Sequence, residues 1–267
     1  MHPVVQHLLK RKNKSVPIND GKKIVLVLYG GIMRGIRNAA GLVALEEMGL
    51  RQSFDEIYSF SIGAPNTAYF LSGQISKGLQ VYYKDSIEGK MIKNGFIFKK
   101  VDLQPFLSLL KNKNHLDISK IFQQKTKFFV RVVNDQTKHR EYLEAHEVGE
   151  ENFVSLLEAS ISPPAFKHGP VKIGNQMYTD TNFWPYLKEY LGGVVSSDAT
   201  DIVVMYNSYY HRRKDYGGDP RILEICIDKG WVLSRFENNP EKLKSSAREM
   251  GRHVKKIFGK EEGINIL

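Results

Sequence analysis

The chain has 267 residues, of which 42% are apolar and 25% charged, with a net charge of +10 and a pI near 9.4. That length can bury one large core or two small ones, and the balance is an ordinary globular one. No run of about 18 apolar residues is present, which argues against a membrane-spanning helix, and the single cysteine excludes an intrachain disulfide and a cysteine zinc site.

Residues 1–20 read as a polar, basic lead-in. Their apolar part is too short for a signal peptide, and the basic cluster Lys10-Arg11-Lys12 follows it rather than preceding it. Residues 21–260 read as a single domain. Ile24-Val25-Leu26-Val27-Leu28 has the pattern of a buried parallel strand and ends at Gly30-Gly31. Helical spacing follows over 36–48, with Gly49 placed to stop it. A short strand is predicted over 56–60 and a small, apolar helix over 64–71. The opening is therefore strand, glycine turn, helix, strand, serine turn, helix. This is α/β logic, in which functional loops gather at the C-terminal ends of the strands.

Residues 76–120 are less regular, with helical spacing over 101–110 around Pro105; an insertion or cap over the site fits here. A strong strand over 128–133 leads through Asn134-Asp135-Gln136-Thr137 to a hairpin partner over 140–143. Then come a helix over 150–160, strands over 202–205 and 222–227, and a last helix over 240–258 with Pro240 at its start. Cys226 falls in the last of those strand runs and reads as a buried structural thiol.

Three places carry chemistry. The first is Gly30-Gly31-Ile32-Met33-Arg34-Gly35, between strand and helix. Successive amides in such a turn form an anion-binding concavity; the alternatives are a phosphate loop or a plain tight turn. A Walker loop is excluded because no Gly-Lys-Ser/Thr follows, and the glycines miss the dinucleotide spacing. The second is Ser61, in Tyr58-Ser59-Phe60-Ser61-Ile62-Gly63. This is nearly a nucleophile elbow, with Ser59 where the first glycine would stand. The third is Asp180, in Tyr178-Thr179-Asp180-Thr181-Asn182; taken alone it is an ordinary turn residue.

Together these resemble the patatin-like phospholipase family. That family has a G-G-G-x-R-G turn, a G-x-S-x-G elbow and an aspartate before small residues. The likeness extends to Gly35–Leu50 as its first helix, to Ala159–Phe166 with the strand into Asp180, and to Ser234-Arg235-Phe236 before the closing helix. The resemblance implies a three-layer α/β/α sandwich with a mostly parallel central sheet. It implies a lipid acyl hydrolase of the phospholipase A or lysophospholipase type, in which Ser61 is the nucleophile and Asp180 its partner in a two-residue dyad. Gly30, Gly31, Ile32 and Met33 would form the oxyanion hole, with Arg34, Gly35 and Gly63 supporting the turn. No cofactor and no metal is implied.

The sequence departs from the family pattern at Ile32, Ser59 and Thr181-Asn182. Ile32 keeps its amide, but a β-branched residue resists positive φ. The opposing reading is therefore an impaired member that binds lipid or regulates. The basic clusters Lys10-Arg11-Lys12, Lys99-Lys100, His211-Arg212-Arg213-Lys214 and Lys255-Lys256 are scattered, without a nucleic-acid module. They leave open a solvated surface or a peripheral contact with an anionic membrane, and nucleic acid is not expected as a partner. His211 and His253 read as surface residues and His168 as a loop residue. No histidine pair has metal spacing. A cytoplasmic setting is expected from the single thiol, with export without a signal peptide left open; the oligomeric state is open.

Overall fold

The computed structural model describes residues 1–93, 100–112, 115–164, 168–180, 194, 198–209 and 218–260. In chain order the elements are α1 (Pro3–Lys10), β1 (Ile24–Leu28), a 3-10 turn (Ile32–Arg34), α2 (Gly35–Glu47), β2 (Glu56–Phe60), α3 (Gly63–Leu71), α4 (Ile75–Gln80) and α5 (Ser86–Glu88). There follow β3 (Ile92–Lys93), β4 (Lys100–Val101), α6 (Gln104–Lys111), α7 (Ser119–Phe122), β5 (Lys127–Asn134), β6 (Arg140–Glu144), α8 (Ala145–Val148) and α9 (Glu150–Ile161). The chain then forms β7 (Val171–Ile173), β8 (Gln176–Thr179), β9 (Asp201–Met205), β10 (Ile222–Ile225) and α10 (Pro240–Ile257).

The fold is mixed α/β with a mostly parallel central sheet. Strands β10, β9, β1, β2 and β5 run parallel in that order, while β6 and β8 pair antiparallel with β5, and β7 with β8. Every residue of β1 is buried, because both faces of the sheet are covered. Ile24, Leu26 and Leu28 join the core beneath α2, α3, α9 and α10. Val25 and Val27 alternate into a second core with Tyr29, Phe60, Val204 and Tyr206. Burial on both faces is what a three-layer sandwich requires.

Helix α2 lies close over β9 because it carries Ala39, Ala40, Gly41 and Ala44; a Cβ at Gly41 would fall 2.5 Å from Met205 Sδ. Helix α10 is started by Pro240 and by Asn239, whose side chain accepts from the amides of Glu241 and Lys242. Its Leu243, Ala247, Met250 and Val254 are buried, and its lysines and arginines are mostly turned outward.

The sequence expectation for residues 1–20 is corrected. The segment holds α1, whose Val4, Val5 and Leu8 are fully buried. Arg11, read as part of a basic cluster, is fully buried and uses all five of its N–H groups, on Asp20, Asp55, Ser53 O and Lys22 O. Charge patterning missed it because the carboxylates that accept from Arg11 come from two separate later loops. Cys226 is also corrected: it is half-buried and lies just past the end of β10. Among the described residues no helix is long and apolar enough to cross a membrane. Thr181-Asn182, Lys99 and the cluster 211–214 lie outside the described residues.

Candidate active site

The site forms where strands end. Ser61 follows β2 directly and precedes α3, and its φ of +50° confirms the sharp turn expected there. A non-glycine residue in this left-handed region costs about 1–3 kcal/mol, and such residues cluster at functional sites. Ser61 is partly exposed, and its carbonyl accepts from Ala64 N (2.9 Å) at the start of α3. Ser59, fully buried, fits where the elbow motif has glycine; Thr67 Oγ1 donates to its hydroxyl at 3.4 Å.

Asp180 reaches the same place from the other direction. The odd-numbered amides of β5 face one edge: Lys127 N donates to Asp55 O, before β2, and Asp135 N donates to Met177 O in β8. The even-numbered amides face the other edge: Phe128 N donates to Glu144 Oε1, and Asn134 N to His139 O in the β6 hairpin. Strands β2 and β8 therefore share one edge of β5 and run at each other head to head.

The register gives the gap. Phe60 stands opposite Arg131, and Thr179 opposite Val133. Two residues of strand separate them, about 7 Å. Ser61 and Asp180 are the next residue on each strand, both heading into that gap. The end of α9 ties them together. Ser160 Oγ donates to Ser61 O (3.4 Å), and Ser162 O accepts from Asp180 N (3.2 Å) and from Thr179 Oγ1 (2.5 Å). Asp180 is buried.

The glycine turn closes the site from β1, the other neighbour of β2. A Cβ on Gly30 would sit 2.5 Å from Ser61 Cβ and 3.1 Å from the Phe60 ring, so only glycine fits there. Gly31 has φ +154°, and Ile32 adopts φ +53° despite its branched side chain. The amides of Gly31 and Ile32 make no hydrogen bond among the described residues. The Met33 amide is different: it donates to Arg235 O at 3.2 Å. Of the expected oxyanion residues, Met33 thus contributes through structure, and Gly31 and Ile32 offer unspent donors. Gly35 and Gly63 are packing positions, with Cβ contacts of 2.5 Å to Tyr82 Oη and 3.0 Å to Leu28 O, respectively.

Arg34 braces the turn. Its Nε donates to Leu233 O at 2.6 Å, and burial together with the charge of Arg235 holds its guanidinium below the usual arginine range.

Sequence reasoning missed the support under the turn. Asn207 follows the end of β9, and its side-chain amide donates to Tyr29 O (2.9 Å) and to Gly30 O. Asn38 Nδ2 donates to Tyr29 O as well, at 2.6 Å. Arg37 is buried without a carboxylate; it donates to Asn207 O (2.8 Å), Trp231 O (2.7 Å) and Ser246 Oγ (2.8 Å). Burial lowers its pKa to about 10. The available signal was the position of Asn207, a polar residue just after an apolar parallel strand, where α/β sites gather.

The two described histidines of the three considered, His168 and His253, make their contacts elsewhere. His168 Nε2 lies 2.9 Å from Glu158 Oε1, as a loop residue would. His253 sits half-buried on α10, where burial lowers its pKa against the charge of Asp228. His211 lies outside the described residues. Among the described residues no cluster of side chains could hold a metal ion.

No protein-family model and no curated protein matches the chain by sequence. Among solved structures it is similar to VipD from Legionella pneumophila, at 11% identity and a TM-score of 0.49, over 90% of this chain and 67% of that one. It is similar to the type III effector protein ExoU, at 12% identity and a TM-score of 0.44, over 90% of this chain and 54% of that one. ExoU in its heterodimeric complex with SpcU, from the type III secretion system of Pseudomonas aeruginosa, gives 13% identity and a TM-score of 0.41, over 90% and 52%. The chain spans about half the length of ExoU.

Proposed function

We propose that this chain is a serine acyl hydrolase that cleaves carboxylic ester bonds of lipids through Ser61 and Asp180. The observation that carries the reading is the meeting of β2 and β8 on one edge of β5, with Ser61 and Asp180 as the residues entering the gap.

Ser61 Oγ attacks the ester carbonyl while the Asp180 carboxylate accepts its proton. The amides of Gly31 and Ile32 donate to the oxyanion that develops. A well-aimed donor of this kind contributes about 3–4 kcal/mol. Collapse expels the alcohol, which takes the proton from Asp180 and leaves an acyl group on Ser61. Water then attacks the acyl carbonyl, giving its proton to Asp180; collapse releases the carboxylic acid as Ser61 Oγ takes that proton back from Asp180, which restores both residues.

The positive φ of Ile32 supports catalysis over the impaired alternative. The branched residue holds the conformation that a glycine would adopt, so the turn keeps its amide where the chemistry uses it. The test is labelling by a fluorophosphonate probe, which reports an activated serine without a choice of substrate. Native protein is expected to label and Ser61→Ala to stay dark. Equal labelling of both, or of neither, would remove the assignment.

A further inference from the structure

The segment from Asp228 to Arg235 lies with its backbone along the glycine turn. Three of its carbonyls are used there: Trp231 O accepts from Arg37, Leu233 O from Arg34 and Arg235 O from Met33. Leu233 is buried and pins the segment. Its tip is a tight turn, closed by Trp231 N to Asp228 O (3.1 Å) and Val232 N to Gly230 O (3.1 Å). At that tip Trp231 is 44% exposed and Val232 73% exposed. Apart from Met1, these are the large exposed apolar side chains among the described residues. The backbone of the tip is held by these hydrogen bonds with both side chains outward.

Cations lie in and beside the same segment. Lys229 is exposed in the same turn, and Arg34 and Arg235 flank its base. Helix α10 adjoins it, since Arg37 binds both Ser246 of α10 and Trp231. The outward residues of α10 include Lys242, Arg248, Arg252 and Lys256, all exposed; Glu249 faces Arg252 at 3.5 Å, and Glu241 pairs with Lys244 at 3.0 Å. Asp228 and Glu237 are the acidic groups within or beside the segment, so cations remain in excess.

We propose that the turn carrying Trp231 and Val232 is a docking element that seats the protein on an anionic lipid surface, with the mouth of the Ser61 site facing the lipid. A tryptophan beside an aliphatic side chain, with lysine and arginine in the same segment and on the adjoining helix, suits the boundary between acyl chains and anionic headgroups. A protein partner would be expected to meet a broader apolar area than two side chains. The orientation of the site rests on the proposed hydrolase function; the docking itself does not.

The experiment is co-sedimentation of the full chain, carrying Ser61→Ala so that no lipid is consumed, with phosphatidylglycerol–phosphatidylcholine vesicles and with phosphatidylcholine vesicles alone. Binding is expected on the anionic vesicles, weakening as salt rises. Val232→Asp is expected to lower it about ten-fold, since one apolar contact is lost and a like charge is brought to the surface. Brominated lipid is expected to quench the emission of Trp231 in a Trp184→Phe background, and Trp231→Phe to remove that quenching, which covers the case in which Val232→Asp folds poorly. Equal binding to neutral vesicles, equal binding by Val232→Asp in folded form, or no binding would overturn the proposal. Self-association lost in Val232→Asp, without vesicle binding, would reassign the tip to a second copy of the chain. Because Ser61 is absent throughout, failure here is distinct from failure of the serine to label.

Discussion

Gly30 and Ser61 stand so close that a methyl group on Gly30 would fall 2.5 Å from Ser61 Cβ. The nearest obstacle is the carbon that carries the Ser61 hydroxyl, so any side chain at Gly30 must displace that hydroxyl. Gly30→Ala is expected to destabilise the fold by about 1–3 kcal/mol through overpacking. Hydrolysis should fall by about 100-fold, the scale of a 1 Å misplacement. A thermal melt and the rate of fluorophosphonate labelling check the two effects separately. Labelling at the native rate would mean that the turn gives way elsewhere.

Ser61→Ala and Asp180→Asn are each expected to remove nearly all ester hydrolysis, roughly 1,000-fold or more. The double variant should be little worse than either single one, as for groups that act as a unit. Turnover of a short-chain ester by purified variants measures this. Losses that multiply in the double variant would show that the two act independently.

Asn207 touches the turn from beneath, so it is a positioning residue. Asn207→Ala leaves the carbonyls of Tyr29 and Gly30 with one donor fewer, at about 1–3 kcal/mol in stability. We expect kcat to fall and KM to change little. A lower melting temperature with unchanged kcat would assign Asn207 to structure alone.

Ile32→Gly tests the strained turn. Release of the positive φ and loss of a half-buried side chain oppose each other at about 1–3 kcal/mol each, so the melt should move little. The amide remains, and turnover is expected to hold or rise. A fall in turnover in folded protein would show that the isoleucine side chain, rather than its amide, shapes the site.

Asp20 gives a pH prediction. Its hydrogen bonds from Arg11 hold its pKa to about 2, below the ordinary 3.8. A depressed carboxyl contributes stability that is complete above 3.8 and is lost as pH falls through the folded value. Melting temperature should therefore drop between about pH 4 and pH 2, and Asp20→Asn should flatten that part of the profile. Asp20 is largely solvent-screened, so the effect is expected to be small. An unchanged acid limb in the variant would place acid sensitivity elsewhere.

The last helix is readable in the sequence because its apolar residues follow one period, and β2 and α3 because each is a short, largely buried run on either side of a turn. The serine turn is readable for the same reason: it sits between two such runs. The buried role of Arg11 and the support from Asn207 are invisible there, because their partners come from distant loops. Met33 shows a finer limit. A motif can propose four oxyanion residues, but the carbonyl of Arg235, some two hundred positions away, claims one of the amides.

The shared edge of β5 makes competence a matter of alignment. Strand β8 carries four residues, and on β5 it is matched only at Val133 and Asn134. If it slid by one position, every side chain would turn to the opposite face of the sheet. Asp180 would leave the gap and Tyr178 would leave the core with it, while the helices and the parallel strands stayed as they are. Such a misframed molecule would melt cooperatively, show native circular dichroism and hydrolyse nothing. Substitutions near Asn134 and Gln176, whose side chains meet at 3.4 Å, are where loss of activity should come before loss of structure.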